Sequence, residues 1–196
     1  MNKLLVLDRY TNGHTAAITL QSHTELINEQ TELVFCGSHR KIIEQLPYTK
    51  CYAVLPLYNT SIGVINEVVN LIGDLDRSGK RIQVLKRCVV PITHCLVTNQ
   101  NVCDLQSIKR VISHEKALDQ CSEFLDSLNI QECHRIKHNS TADAVKVLSE
   151  DTDSDDIAAI ASRTAAEAYG LKVLCDDIQN QRDNYTHFYL IKCRSV

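Results

Sequence analysis

An α/β fold is predicted from three observations: short apolar runs alternate with longer amphipathic stretches, no internal repeat is present, and the composition is 44% hydrophobic with 23% charged residues. The alternation is the decisive one. Compact apolar runs read as strands, and apolar residues recurring at spacings of three and four read as helices, so a chain that alternates them builds sheets covered by helices. The composition is that of a soluble globular chain, and 196 residues are enough for one domain or two small lobes.

Taken in order, the first strand is Leu4 to Leu7, closed by Asp8. Its apolar run is too short for a signal peptide or a membrane span, which predicts a cytoplasmic chain. A helix from His14 to Ile27, a strand at Leu33 to Phe35, a helix from Ser38 to Leu46 and a strand at Tyr52 to Leu55 follow. Next come a helix from Ile62 to Leu75 and strands at Gln83 to Val89, His94 to Val97 and Arg110 to Ile112. Helices are predicted at Glu115 to Leu128, Ala142 to Ser149 and Arg163 to Tyr169, with strands at Ile157 to Ala161, Leu171 to Leu174 and Phe188 to Lys192. The acidic stretch from Ser149 to Asp156 reads as a solvated loop.

Several function classes are disfavoured at once. A formal net charge of -3 and the lack of any Lys or Arg run argue against nucleic acid as a partner. The nine cysteines include no C-x-x-C, and their scatter and odd number fit reduced, mostly structural thiols. Cys133-His134 is a weak ligand pair best read as a surface loop, so neither a metal site nor a cofactor is expected. Matches to N-x-S/T at Asn59, Asn139 and Asn184 are not glycosylation acceptors in a chain with no secretory signal.

The chemistry concentrates near the end. In an extended segment the period of two places Asn184, Thr186 and Phe188 on one face and Tyr185 and His187 on the other. An amide, a hydroxyl and an aromatic ring then look together into whatever the strand borders. Elsewhere, hydroxyls precede helices: Thr60-Ser61 before the helix holding Glu67, Ser113, Ser140-Thr141 and Ser162. Each is a reasonable N-cap, and helix N-termini that face one crevice bind carboxylates through their N–H groups and dipoles.

In order along the chain, Pro56 to Glu67, Ser113-His114, Ser140-Thr141-Ala142, Ala161-Ser162 to Tyr169-Gly170-Leu171 and Asn184-Tyr185-Thr186-His187-Phe188 together resemble the prephenate dehydratase family. The resemblance covers nearly all the chain and is strongest from about Val54 onward. It implies two α/β lobes of the periplasmic-binding-protein type II, with the substrate cleft between them. On that template one lobe is expected at residues 1–80 plus 176–196 and the other at 81–175. It also implies prephenate as a small-molecule substrate, decarboxylated and dehydrated to phenylpyruvate, and a homodimer or higher homo-oligomer. Thr186 matches the threonine of the family's Thr-Arg-Phe motif, to which help for the departing hydroxyl is assigned, and Asn184 is the orienting group beside it. Substrate contacts are implied for Asn59, Thr60 and Gly63 in the family's Glu-Asn-Ser segment, the glycine allowing close backbone approach. Ser113, His114, Ser140 and Thr141 are implied for carboxylate binding, Phe188 for an apolar wall, and Thr11 and His14, which survive from the family's opening motif, for further substrate contacts.

The departures are as informative. Tyr58 stands where the family has glutamate, His187 where it has arginine, and the opening reads Leu7-Asp8-Arg9-Tyr10-Thr11-Asn12-Gly13-His14. A carboxylate at position 58 would orient a proton network, which a phenol does not replace near neutral pH. The chain also stops soon after Phe188, so neither an ACT regulatory domain nor a fused chorismate mutase is expected. An altered, stand-alone catalytic domain resembles the prephenate decarboxylases of specialised metabolism, which remove carbon dioxide and keep the ring hydroxyl. A third alternative is a non-catalytic module that binds a small carboxylate.

Overall fold

The computed structural model describes residues 2–48, 50–102 and 104–194. The chain divides into two compact units, Met1–Ile92 with Asp183–Val196, and Thr93–Arg182. These boundaries fall later than the lobe limits expected from the family template. The reason is β5 (Ile82–Pro91), which pairs along the whole of β11 (Tyr185–Cys193) and so belongs with the first unit.

The first unit is built on β1 (Lys3–Val6), β2 (Glu32–Phe35) and β3 (Cys51–Asn59), with a sheet order of β2-β1-β3-β11-β5. β1 pairs in parallel with both β2 and β3, whereas β11 runs antiparallel to β3 and to β5. A two-residue strand, β4 (Gly63–Val64), folds back on the end of β3. Leu4, Leu5 and Val6 are all sealed from solvent, as a parallel strand covered on both faces requires. On one face Leu4, Val6, Phe188 and Leu190 pack with Ala16, Ala17 and Leu20 of α1 (Asn12–Ser22). On the other, Leu5, Leu55 and Ile191 pack with Ile42 and Ile43 of α2 (His39–Gln45) and Val68 and Leu71 of α3 (Asn66–Arg77).

The second unit holds a five-stranded sheet in the order β10-β6-β9-β7-β8. Its strands are β6 (Cys95–Thr98), β7 (Arg110–His114), β8 (Arg135–His138), β9 (Ile157–Ala161) and β10 (Lys172–Cys175). β7 is parallel to β8 and β9, while β6 is antiparallel to β9 and β10. Its helices are α4 (Glu115–Gln120), α5 (Ser122–Ser127), α6 (Thr141–Glu150) and α7 (Arg163–Ala168). Val111, Leu118, Leu125, Ala158 and Ile160 share one core. No helix among the described residues is long and apolar enough to cross a membrane.

Local readings depart from the pattern in instructive places. The stretch predicted as one helix from Glu115 to Leu128 is two, broken at Cys121, whose ψ of 16° leaves the helical range. The helix predicted from Ile62 begins at Asn66, because Ile62 and Gly63 are used in the β3–β4 hairpin. Gly63 has φ +77 and nothing within 4 Å of where a Cβ would stand. The left-handed backbone of this turn is one that glycine adopts without strain. Cys133 and His134 lie in a 3-10 turn, Glu132–His134, with the Cys133 side chain outside the described residues. The seven cysteines placed in the structure are free thiols.

Candidate active site

At the carboxyl ends of β1, β2 and β3, three polar side chains meet in a buried cluster. Thr186 lies directly across from Asn59 in the β3–β11 ladder, and Asn184 stands just ahead of β11. All three are at most 7% exposed, while Tyr185 is 38% exposed, so the alternation expected of this strand is present at its start.

How Asn59 comes to face Thr186 is a matter of one extra residue. His187 pairs with Tyr58 and Phe188 with Pro56, which leaves Leu57 out of register. A bulge of this kind reverses the side-chain alternation beyond it. Leu55 and Leu57 belong to the α2–α3 face, yet Asn59 emerges on the face of Thr186 and Phe188. Pro56 has no N–H to give to a ladder, which is a physical reason for the break to occur here.

Hydrogen bonds fix the orientation of the cluster. Asn59 Oδ1 accepts from the backbone N–H of Ser61 at 2.9 Å and of Ile62 at 3.1 Å, so its Nδ2 must point the other way. That Nδ2 donates to Asn184 Oδ1 at 2.7 Å, Thr186 Oγ1 at 2.9 Å and the Tyr185 carbonyl at 3.1 Å. Thr186 and Asn184 are thus both acceptors toward Asn59. Among the described residues no acceptor takes the Thr186 hydroxyl proton or the Asn184 Nδ2 protons. The cluster therefore offers two preset donors, a hydroxyl and an amide, to whatever lies in front of it.

Thr60 and the α1 terminus frame this end of the sheet. The Thr60 hydroxyl donates to the Asp183 carbonyl at 3.0 Å and accepts from Tyr185 N–H at 2.8 Å, so it staples the hairpin to the start of β11. It does not cap the following helix, which starts at Asn66 behind Ile65 with no side-chain cap. Thr11 caps α1 by accepting from His14 N–H, and His14 Nδ1 in turn accepts from Tyr10 N–H at 3.2 Å. An edge contact to Phe35 holds the ring, and burial followed by the nearby Arg9 charge pushes the His14 pKa below the usual histidine value. A Cβ at Gly13 would lie 3.8 Å from the Phe188 ring, which places the α1 terminus against the same face of β11.

The two family departures turn out to be neighbours. Tyr58 and His187 are register partners with ring centroids 5.5 Å apart at 89°, an edge-to-face pair. They lie on the opposite side of the strand pair from Asn59 and Thr186. Tyr58 is 40% exposed and makes no part of the Asn59 network.

In the second unit the remaining candidates collect where parallel strands end and helices begin. Ser113 is wholly buried in β7, and its hydroxyl donates to the Ile160 carbonyl of β9 at 2.7 Å. The expected capping role passes to His114, whose Nδ1 accepts from Lys116 N–H at 3.2 Å. Ser140 caps α6 through Asp143 N–H at 2.9 Å, and Thr141 opens that helix. His114 and His138 are register partners on β7 and β8. Nδ1 of His138 lies 3.3 Å from Asp143 Oδ2, an acid–imidazole pair that the sequence reading did not single out. His94 is also new: its Nε2 is 2.9 Å from Gln120 Oε1, and burial lowers its pKa despite the opposing effect of that hydrogen bond.

The family model for prephenate dehydratase matches residues 8–195. A chloroplastic arogenate dehydratase/prephenate dehydratase 1 of Arabidopsis thaliana is 36% identical over 180 residues, 91% of this chain and 42% of that protein. The chain spans less than half the length of the curated relatives it matches first. Among solved structures, the prephenate dehydratase of Arthrobacter aurescens in complex with L-Phe superposes with a TM-score of 0.81 at 23% identity, over 100% of this chain and 61% of that one. The methionine-binding protein MetQ matches with a TM-score of 0.50 at 12% identity, over 97% of this chain and 82% of that one. These likenesses place the fold in the α/β class shared by prephenate dehydratases and periplasmic-binding proteins of type II.

Proposed function

Because the chain belongs to the prephenate dehydratase family, we propose that it is a lyase that decarboxylates and dehydrates prephenate to phenylpyruvate. The observation that carries this reading is the Asn59, Asn184 and Thr186 cluster, in which one pinned amide leaves a hydroxyl and a second amide as donors. Prephenate loses its ring carboxylate as carbon dioxide. The released electron pair crosses the ring, and the opposite carbon–oxygen bond breaks as the ring becomes aromatic. Hydroxide is a poor leaving group, so the oxygen must meet a hydrogen-bond donor or receive a proton as it departs. Thr186 is assigned that contact and Asn184 the orientation of the same oxygen. Asn59 holds both in place and is a positioning residue.

Carboxylate recognition is assigned to helix N-termini. Thr11 and His14 stand at the start of α1, and Ser140 with Thr141 at the start of α6, where backbone N–H groups and the helix dipole favour anions. His114 offers its Nε2 side, since Nδ1 is used in capping. Ser113 supports the sheet through Ile160.

Non-aromatising decarboxylation would differ only in the fate of the ring hydroxyl, and a non-catalytic module only in the absence of turnover. The placement of Tyr58 and His187 away from Thr186 supports dehydration, because the departures leave the donor face unaltered. Purified protein incubated with prephenate at neutral pH, followed by proton NMR against an enzyme-free control, tests the reading. Aromatic phenylpyruvate signals are expected. Retained olefinic ring protons after decarboxylation would assign the alternative activity, and unchanged prephenate would leave a binding module.

A further inference from the structure

At the opposite end of the first unit's sheet from Thr186, a concavity of about 610 Å³ is lined by Lys50, Lys80, Lys192 and Arg194, with Tyr48 and Tyr52 among its walls. Among the described residues no side-chain carboxylate lines it, and none of the four cations is ion-paired. That is unexpected in a chain whose formal net charge is -3. Four like charges around one concavity repel one another, and in an acidic chain the arrangement concentrates positive potential at a single place. The wall is also locally strained. Lys50 has φ +65, a left-handed conformation that side chains with a Cβ seldom adopt, and its carbonyl is held by Lys3 N–H at 2.9 Å.

We propose that this concavity binds a small oligoanion of the diphosphate class, bearing two or more negative charges. Its volume is that of an ordinary ligand site. Three lysines and an arginine supply charge-assisted donors, and Arg194 keeps its terminal nitrogens available while its Nε lies 3.4 Å from Gln83 Oε1. Tyr48 is 72% exposed, so its ring is open for an apolar or aromatic group attached to the anion. The site is distinct from the donor cluster, since Cys51 and Cys193 in its lining lie at the far ends of β3 and β11 from Asn59 and Thr186.

The test is calorimetric titration of the whole chain with inorganic pyrophosphate at low and at raised ionic strength. Saturable binding is expected, weakening as salt rises. The double variant Lys80→Gln with Lys192→Gln should weaken binding at least about tenfold, the scale of losing charge-assisted hydrogen bonds. Lys86→Gln, an exposed lysine of β5 outside the lining, should leave affinity unchanged, as should Thr186→Val. Absence of binding at millimolar pyrophosphate would overturn the proposal. So would equal weakening by Lys86→Gln, because the attraction would then be general surface charge. Melting temperature of each variant separates a lost site from a lost fold.

Discussion

Replacing Asn59 by aspartate changes one atom of the donor cluster and little of its shape. The new carboxylate keeps one oxygen on Ser61 and Ile62 N–H, but where Nδ2 stood it presents an acceptor to Asn184 Oδ1, Thr186 Oγ1 and the Tyr185 carbonyl. Asn184 can turn its amide, and Thr186 can rotate its hydroxyl, so that both now donate inward. The Tyr185 carbonyl cannot adapt, although Thr60 N–H still satisfies it at 2.9 Å. Rearrangement therefore preserves the fold at a cost of about 1–3 kcal/mol. At roughly 2–4 °C per kcal/mol for a chain of this size, the melting temperature should drop by about 2–12 °C. Function should suffer far more, because both donors offered to the substrate have been turned away. A fall in kcat of about 10²–10⁴-fold is expected, the range for losing a positioned proton donor. Circular dichroism gives the melting temperature and NMR the turnover of prephenate. A folded Asn59→Asp variant with wild-type kcat would refute the argument that donor direction at Thr186 and Asn184 matters.

Thr186→Val, which keeps shape and removes the hydroxyl, should abolish phenylpyruvate formation while Thr186→Ser retains part of it; equal rates in both would show that Thr186 acts by packing. Tyr58→Glu alone should leave kcat within about twofold, the scale of an exposed substitution, since the phenol faces His187 and not the cluster. Combined with His187→Arg in a double-mutant cycle on urea stability, it should show a favourable coupling of about 0.2–1 kcal/mol, and zero coupling would mean that the two positions are independent. Burial holds His94 and His14 below the ordinary histidine pKa, so the unfolded chain binds more protons than the folded one across the interval below the unfolded value of about 6.5. Stability should therefore decline as pH falls from 7 through the folded pKa values, and His94→Gln should flatten that slope in urea titrations. An unchanged slope would exclude His94 as a contributor.

Much of this arrangement was legible in the residues, for reasons that differ from place to place. The face formed by Asn184, Thr186 and Phe188 follows from strand periodicity alone, and all three are buried together. Caps at Ser140 and Ser162 are local side-chain to backbone contacts, the kind that sequence specifies directly. Asn59 was harder. Simple alternation along β3 puts it with Leu55 on the α2–α3 face, and only the bulge at Leu57 turns it toward Thr186. Pro56 was the available signal. Ser113 was misplaced by one residue in its local role, because a buried strand terminus and a helix cap look alike until the sheet partner Ile160 is known. The short β8 and the Tyr58–His187 pair depend on contacts between segments distant in sequence, which periodicity does not carry. The basic concavity assembles residues from the chain start, the α2–β3 and α3–β5 connections and the end of β11, so no contiguous run of Lys or Arg announces it.

Counting carbon dioxide and phenylpyruvate separately, for wild type and Thr186→Val with the same prephenate stock, tests the central claim most directly. The account predicts equal amounts of the two products from wild type and neither above the enzyme-free level from the variant. Carbon dioxide released without phenylpyruvate, or phenylpyruvate formed at an undiminished rate by Thr186→Val, would contradict it.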